Sequence, residues 1–212
     1  MADYCSTSDI KAEMPDSTLA SSTDTTYDTA IGTFITAASR LIDKEVGREA
    51  NWFSTTDEQT RYFDGSGEVM QEIDECHTLT TVSVSESGET CSSGYTDWTL
   101  DTDFYISPYN YSDLGIPFTR LIADFNGTKY RFPRYRKCVK VVGQFGYSAS
   151  PPEDIQQACK IQTMRWFARA KQMYQDGGGG TQTGQLIYSK YTSALDPDIE
   201  EILRSYQIGN MV

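Results

Sequence analysis

The chain is poor in the residues on which most catalytic sites depend. Its 212 residues include one histidine, His77, so a hydrolytic triad or a zinc site would have to pass through that side chain. Zinc takes about four ligands, usually in closely spaced pairs, and no such grouping accompanies His77. Set between Cys76 and Thr78 in a β-branched stretch, it reads as an ordinary strand residue. The five cysteines, Cys5, Cys76, Cys91, Cys138 and Cys159, form no C-x-x-C pair. Their odd number, behind an N-terminus without secretory features, predicts free buried thiols, although Cys76 and Cys91 are placed to bridge a hairpin. No apolar run reaches the roughly 18 residues that span a bilayer, and M-A-D-Y-C-S-T-S-D is too acidic and polar for a signal peptide. A chain kept in the cytoplasm, without a membrane partner, is therefore expected.

Positive charge is scarce as well. Eighteen basic residues face 30 acidic ones, for a net charge of −12. The deficit is uneven: residues 1–100 carry −14, residues 101–150 carry +3 and residues 151–212 carry −1. General nucleic-acid binding calls for a broad basic face, and only one short strip qualifies. In K129-Y-R-F-P-R-Y-R-K-C-V-K140, the cations Lys129, Arg131, Arg134, Arg136, Lys137 and Lys140 are interleaved with Tyr130, Phe132 and Tyr135. Basic residues among aromatics can track a nucleic-acid strand. A strand and turn with one charged face, paired to acids of a neighbouring copy, explains the strip more simply.

Helical and strand periodicities alternate along the chain. A first short helix is expected at Ser8–Met14, ended by Pro15, and a polar loop follows over residues 17–26. Tyr27, Ile31, Phe34, Ile35, Ala38, Leu41, Ile42 and Val46 recur at three and four and share one helical face, with Gly47 as the stop. From about Thr60 the period changes to two. R61-Y-F-D-G-S-G-E-V-M-Q-E-I-D74 reads as strand, glycine turn, strand. T78-L-T-T-V-S-V84, W98-T-L-D-T-D-F-Y-I106, the segment Pro117–Ala123 (PFTRLIA) and K137-C-V-K-V-V142 supply the further strands. After Pro151-Pro152 the helical period returns through Ile155, Cys159, Gln162, Trp166, Ala170 and Met173, to about Asp176. Gly177–Gly180 make a break, T181–S193 leans weakly to strand, and Asp196-Pro197 caps a last short helix. The expectation is an α+β chain: a bundle of about four helices (1–59 and 146–212) with a β-rich insertion (60–145).

The remaining chemical candidates are weak. V141-V-G-Q-F-G-Y147 has G-x-x-G where a dinucleotide fingerprint needs G-x-G-x-x-G, and it reads better as a strand end turning into a helix. Glu72, Asp74 and Glu75, with Trp98 nearby on the β-block, offer a glycosidase-like acid pair, yet an exposed strand face explains them more simply. Asp101 and Asp103 form a D-x-D that could touch a divalent cation but lacks further ligands. No catalytic residue, metal or cofactor is expected.

Three features, in this order, resemble the head–tail connector (adaptor, or head-completion) family of tailed bacteriophages. The first is A37-A-S-R-L-I-D-K-E-V-G-R48 with Trp52-Phe53. The second is the path from R61-Y-F-D-G-S-G-E through W98-T-L-D-T-D-F-Y-I-S-P-Y-N110 to I116-P-F-T-R. The third is V139-K-V-V-G-Q-F-G-Y147 with P-P-E-D-I-Q-Q-A158 and R165-W-F-A-R169. The likeness runs over about residues 25–175, and D196-P-D-I-E-E-I-L-R-S-Y206 also fits. It implies a non-enzymatic virion protein of the neck, assembled in the host bacterial cytoplasm. A dodecameric ring would dock on the portal protein, extend the channel through which genomic DNA passes without sequence-specific binding, and offer a surface to stopper or tail proteins. It also implies portal contact through residues 196–212, with Ile199, Ile202, Leu203 and Tyr206 as the apolar candidates. A stopper or tail terminator is the nearest alternative, and a carbohydrate-binding or hydrolysing module on the β-block a more distant one.

Overall fold

In a computed structural model of the chain, residues 3–14, 25–86, 94–171 and 195–207 are described. The expected loop at 17–26 lies mostly outside them. So do the end of the third predicted helix, the glycine break, the weak strand at 181–193, and Cys91 with its possible bridge to Cys76.

Five helices form among the described residues: α1 (Thr7–Glu13), α2 (Asp28–Val46), α3 (Tyr111–Leu114), α4 (Glu153–Lys171) and α5 (Pro197–Arg204). The six strands are β1 (Gln59–Phe63), β2 (Met70–Ser85), β3 (Tyr95–Trp98), β4 (Phe104–Ser107), β5 (Phe118–Ala123) and β6 (Val139–Phe145). All pair antiparallel in one sheet of order β1-β6-β2-β5-β4, with β3 on β2. This corrects the expected fold class. The chain is not a four-helix bundle carrying a β insertion. Only α2 and α4 exceed eight residues, and α1 and α5 bury just two residues each, too few to act as bundle staves. The sheet meanwhile packs a fifteen-residue apolar cluster of its own, from Ile73 and Cys76 through Phe118, Phe132 and Phe145.

The chain divides into two units, 1–51 with 151–212, and 52–150. In the first, α2 buries Ile31, Ile35, Ala38, Ile42 and Val46, residues of the periodic face, and ends at Gly47 in the left-handed conformation. Its partner α4 buries Ile155, Cys159, Gln162 and Phe167. Phe167 takes the place that the spacing gave to Trp166, because the buried stripe continues from Thr163, four residues earlier, and not from Gln162. Ahead of them, α1 opens on a capping box in which the Ser6 side chain and the Asp9 carboxylate serve each other's backbone N–H.

In the second unit β2 is the organising strand. Its first half, Met70–Cys76, pairs with β5 and its second, Val82–Ser85, with β3. Along its other side it pairs with β6 from Cys76 to Val84, through two register shifts. The sequence reads β1 and β2 as strands either side of a glycine turn, but β6 lies between them. The loop at 64–68 folds instead around Gln71, which is 4% exposed. The Gln71 amide accepts from the Ser66 N–H at 2.8 Å and donates to the carbonyls of Asp64 and Glu72, so a buried polar group is fully used. The stretch read as one strand from Trp98 to Ile106 is broken. Asp101 adopts φ 61°, and the Asp103 carboxylate accepts from the Thr99 N–H at 2.8 Å, which closes a turn between β3 and β4. Beyond β6, Gly146 takes φ 148°, and a Cβ there would lie 2.4 Å from Thr55 Oγ1. Pro151-Pro152 then leads directly into α4.

His77 is half-buried on β2. Its Nε2–H donates to the Thr55 carbonyl at 3.0 Å, and Nδ1 accepts from the Thr78 hydroxyl at 2.9 Å. Burial holds its pKa below the ordinary imidazole value, against a smaller opposing effect of the Thr55 carbonyl. The unfolded chain therefore binds the proton more readily, and stability falls as pH drops through the unfolded imidazole range, about 6.5. Urea unfolding should show a steeper loss of stability between about pH 7.5 and about pH 5.5 in the wild type than in His77→Gln. A second prediction concerns Gly65. A Cβ there would sit 1.8 Å from the Pro133 carbonyl oxygen and 2.4 Å from Cys138 Sγ. Gly65→Ala should cost about 1–3 kcal/mol, read from the same unfolding curves.

Candidate functional site

The basic strip is the one candidate surface that the fold builds as a unit. Most of it is irregular, and only its last two residues, Val139 and Lys140, belong to β6. It is nevertheless tightly held. Phe132 is wholly buried and stacks on Trp98 at 4.9 Å between ring centroids. Cys138 is buried in the same cluster, its thiol donating to the Pro133 carbonyl at 3.3 Å. Three links tie the strip to the 64–68 loop. The Phe132 N–H donates to the Glu68 carbonyl, the Gly65 N–H to the Tyr135 carbonyl, and the Lys137 N–H to Asp64 Oδ1, at 2.9, 2.9 and 2.8 Å. The Tyr95 hydroxyl donates to the Lys137 carbonyl, and the Ser85 N–H to the Cys138 carbonyl at 2.8 Å. The missing Cβ of Gly65 admits this approach.

The six cations divide by environment. Arg131, Arg134, Arg136 and Lys137 are exposed, and none makes an ion pair with another described residue. Lys129 is tied to Glu86 and lies 5.9 Å from the Trp98 ring centroid; Lys140 is half-buried on the sheet, opposite Tyr62 of β1. The interleaved aromatics divide too. Phe132 is the inward anchor, while Tyr130 and Tyr135 are 63% and 48% exposed and Phe125 just upstream is 75% exposed. An open cavity of about 220 Å³ beside the strip is lined by Glu86, Trp98, Thr128, Lys129, Tyr130 and Arg131. The result is a pinned backbone presenting four uncompensated cations among exposed rings. Such a surface suits a negatively charged macromolecular face far better than a small substrate.

The C-terminal candidates sit in the helical unit. Asp196 caps α5 through the Asp198 N–H, and Pro197 occupies its first turn. Ile199 and Leu203 are 0% and 1% exposed, so they hold α5 to its own unit. Ile202 and Tyr206 are half-buried, and the Tyr206 hydroxyl donates to the Asp154 carboxylate at 2.8 Å. Amphipathic spacing finds this face but cannot say whose surface covers it.

The acid candidates do not converge on a cleft. Glu72 lies 3.9 Å from Arg120, and Asp74 forms an ion pair with Arg61 at 2.7 Å; both acids are exposed on β2. Trp98 is 5% exposed and stacked on Phe132, which leaves little of its ring for a sugar. Asp103 is committed to its turn. Among the described residues no group of three or more His, Cys, Asp or Glu side chains is placed to hold a metal ion, and no helix is long and apolar enough to cross a membrane. The loop 64–68, with Gln71 beneath it, escaped the sequence reading as part of the candidate surface. The paired Gly65 and Gly67 were its only signal.

The chain matches no protein-family model and no curated protein. Among solved structures it is similar to a chain in the native virion of a gene transfer agent, at 12% identity and a TM-score of 0.53, over 96% of this chain and 89% of that one. It is also similar to a chain from the neck of an empty gene transfer agent particle, at 15% identity and a TM-score of 0.49, over 95% and 86%. Across almost its whole length, then, this chain shares the fold of a component of a gene transfer agent virion.

Proposed function

We propose that the protein is a non-enzymatic structural component of the neck of a phage-like particle. It acts there as a head–tail connector, a homo-oligomeric ring that docks on the portal, extends the DNA channel and receives the stopper or tail. The observation that carries this reading is the similarity in fold to a virion component over 96% of the chain, which includes both units. The further assignment of a role to each surface rests on charge and burial.

A closed ring requires two different faces of each copy to be complementary. The exposed Arg131, Arg134, Arg136 and Lys137 supply one face, and acids of the next copy, in a chain of net charge −12, supply the other. The portal contact falls to α5, through its half-buried Ile202 and Tyr206, with Ile199 and Leu203 fixing the helix in place. Lys129, paired with Glu86, and Lys140, half-buried on β6, stand apart from that exposed face. DNA passing through the channel meets a predominantly acidic protein, which disfavours adhesion.

Charge reversal tests the interface. Sedimentation velocity of Arg131→Glu/Arg134→Glu/Arg136→Glu should show subunit association weakened by at least about tenfold, or about 1.4 kcal/mol, with the far-UV spectrum unchanged. Association of the wild type should weaken in the same direction between about 0.1 M and about 1 M salt, as the Debye length falls from about 10 Å to about 3 Å. Undiminished association in the variant would remove the strip from the subunit interface. If the same variant then lost DNA retention, the strip would be reassigned to the channel wall.

A further inference from the structure

Two of the buried cysteines meet in a way that the neck reading does not use. Cys5, 8% exposed, and Cys159, 0% exposed, are 154 residues apart in sequence. The Cys5 thiol nevertheless donates to Cys159 Sγ at 3.4 Å. Their register is fixed by neighbouring groups. The Tyr4 N–H donates to Ser39 Oγ at 3.1 Å, and the buried Tyr4 ring sends its hydroxyl to the Asp43 carboxylate. Asp43 is itself held by Arg40 at 3.2 Å and by the Asn51 N–H at 3.0 Å. Ser39 Oγ lies 3.5 Å from Cys159 Sγ and donates to the Ile35 carbonyl at 2.9 Å. Downstream, the capped helix α1 is tied by Lys11–Asp28 at 2.5 Å and Lys160–Glu13 at 2.7 Å. The N-terminal segment is thus clamped on both sides of Cys5 by contacts that do not involve its sulfur.

We infer that Cys5 and Cys159 form a redox dithiol site, which hydroperoxides convert to a disulfide that fastens the N-terminal segment to α4. The inference rests on the helical unit alone and does not depend on the neck assignment. Chemically, the outer Cys5 thiol takes one oxygen atom from the hydroperoxide to become a sulfenic acid, and the alcohol or water formed from the peroxide leaves. The Cys159 sulfur then attacks Cys5 Sγ and displaces hydroxide, which departs as water with the Cys159 proton. Two thiols lose two electrons in total, and the peroxide O–O bond accepts them.

Access sets that order. Cys5 keeps 8% exposure and Cys159 has none, so a peroxide reaches the outer sulfur first and the inner one is left to attack it. The Cys159 sulfur already lies 3.4 Å from Cys5 Sγ. Neither of the other described cysteines has such a partner. Cys76 donates to the Thr78 carbonyl at 3.2 Å and Cys138 to the Pro133 carbonyl at 3.3 Å, and burial pushes the Cys76 thiol up to about 12.

The test is to expose the fully reduced, full-length protein to hydrogen peroxide, block the remaining thiols, and map peptides without reduction. The expected result is a peptide pair joined through Cys5 and Cys159 that dithiothreitol separates. The thermal midpoint should rise by at least about 5 °C, because the bond closes a very long loop. Cys5→Ser and Cys159→Ser should each abolish both effects, whereas Cys76→Ser and Cys138→Ser should retain them. The inference is overturned if both thiols remain free, if Cys5 goes on to sulfinic acid beside a reduced Cys159, or if either cysteine pairs with Cys91. The wild-type peptide map decides the matter even where a variant folds poorly.

Discussion

The stack of Phe132 on Trp98 is the interaction on which the candidate surface depends. Phe132 sits between Arg131 and Arg134 in a stretch with no regular backbone pairing. Left to itself, a segment of that composition would place its rings and its charges with little selectivity. Burial of one ring settles the question. Phe132 lies wholly inside and against Trp98, while Arg131 before it and the four residues after Pro133 are exposed. The 64–68 loop then fixes the backbone with three hydrogen bonds, and the loop is itself held by buried Gln71. Deleting the anchor ring should therefore disturb the charged surface as well as the core.

A division of labour follows between the two units. The β unit buries a complete apolar cluster and spends its polar residues on fixing loops, so it can present charge on a rigid support. The helical unit uses nearly all its apolar stripe internally. Ile31, Ile35 and Ile42 of α2, Ile155 and Phe167 of α4, and Ile199 and Leu203 of α5 are all buried. Its outward chemistry is largely acidic, with Glu45, Glu49, Glu153, Asp154, Asp198 and Glu201 among the described residues. A chain built this way carries both halves of an electrostatic contact, which is what a ring of identical copies needs.

Much of the secondary structure was legible in the sequence because burial there is one-sided. The α2 stripe, the Asp196-Pro197 cap of α5 and the Pro151-Pro152 entry to α4 follow local rules that tertiary contacts leave intact. What went astray depended on contacts distant in sequence. The spacing could not show that β6 enters between β1 and β2, nor that the sheet would form a body with its own core instead of decorating four helices. The stretch from Trp98 to Ile106 looked continuous because its apolar alternation is sound, and a single carboxylate, that of Asp103, closes a turn inside it. The strip itself was visible as charge. That Lys129 is neutralised by Glu86 while its four exposed neighbours are not was invisible without coordinates. For α5, the resemblance offered the apolar residues to a partner, whereas Ile199 and Leu203 are covered by their own unit.

The central claim is that this chain forms a ring on the portal of a phage-like particle. It is tested most directly by negative-stain electron microscopy of the purified protein mixed with the portal protein encoded in the same genome. The account predicts an added ring of density on one end of the portal, coaxial with the channel. A chain that stays monomeric at all concentrations and leaves the portal bare would contradict it.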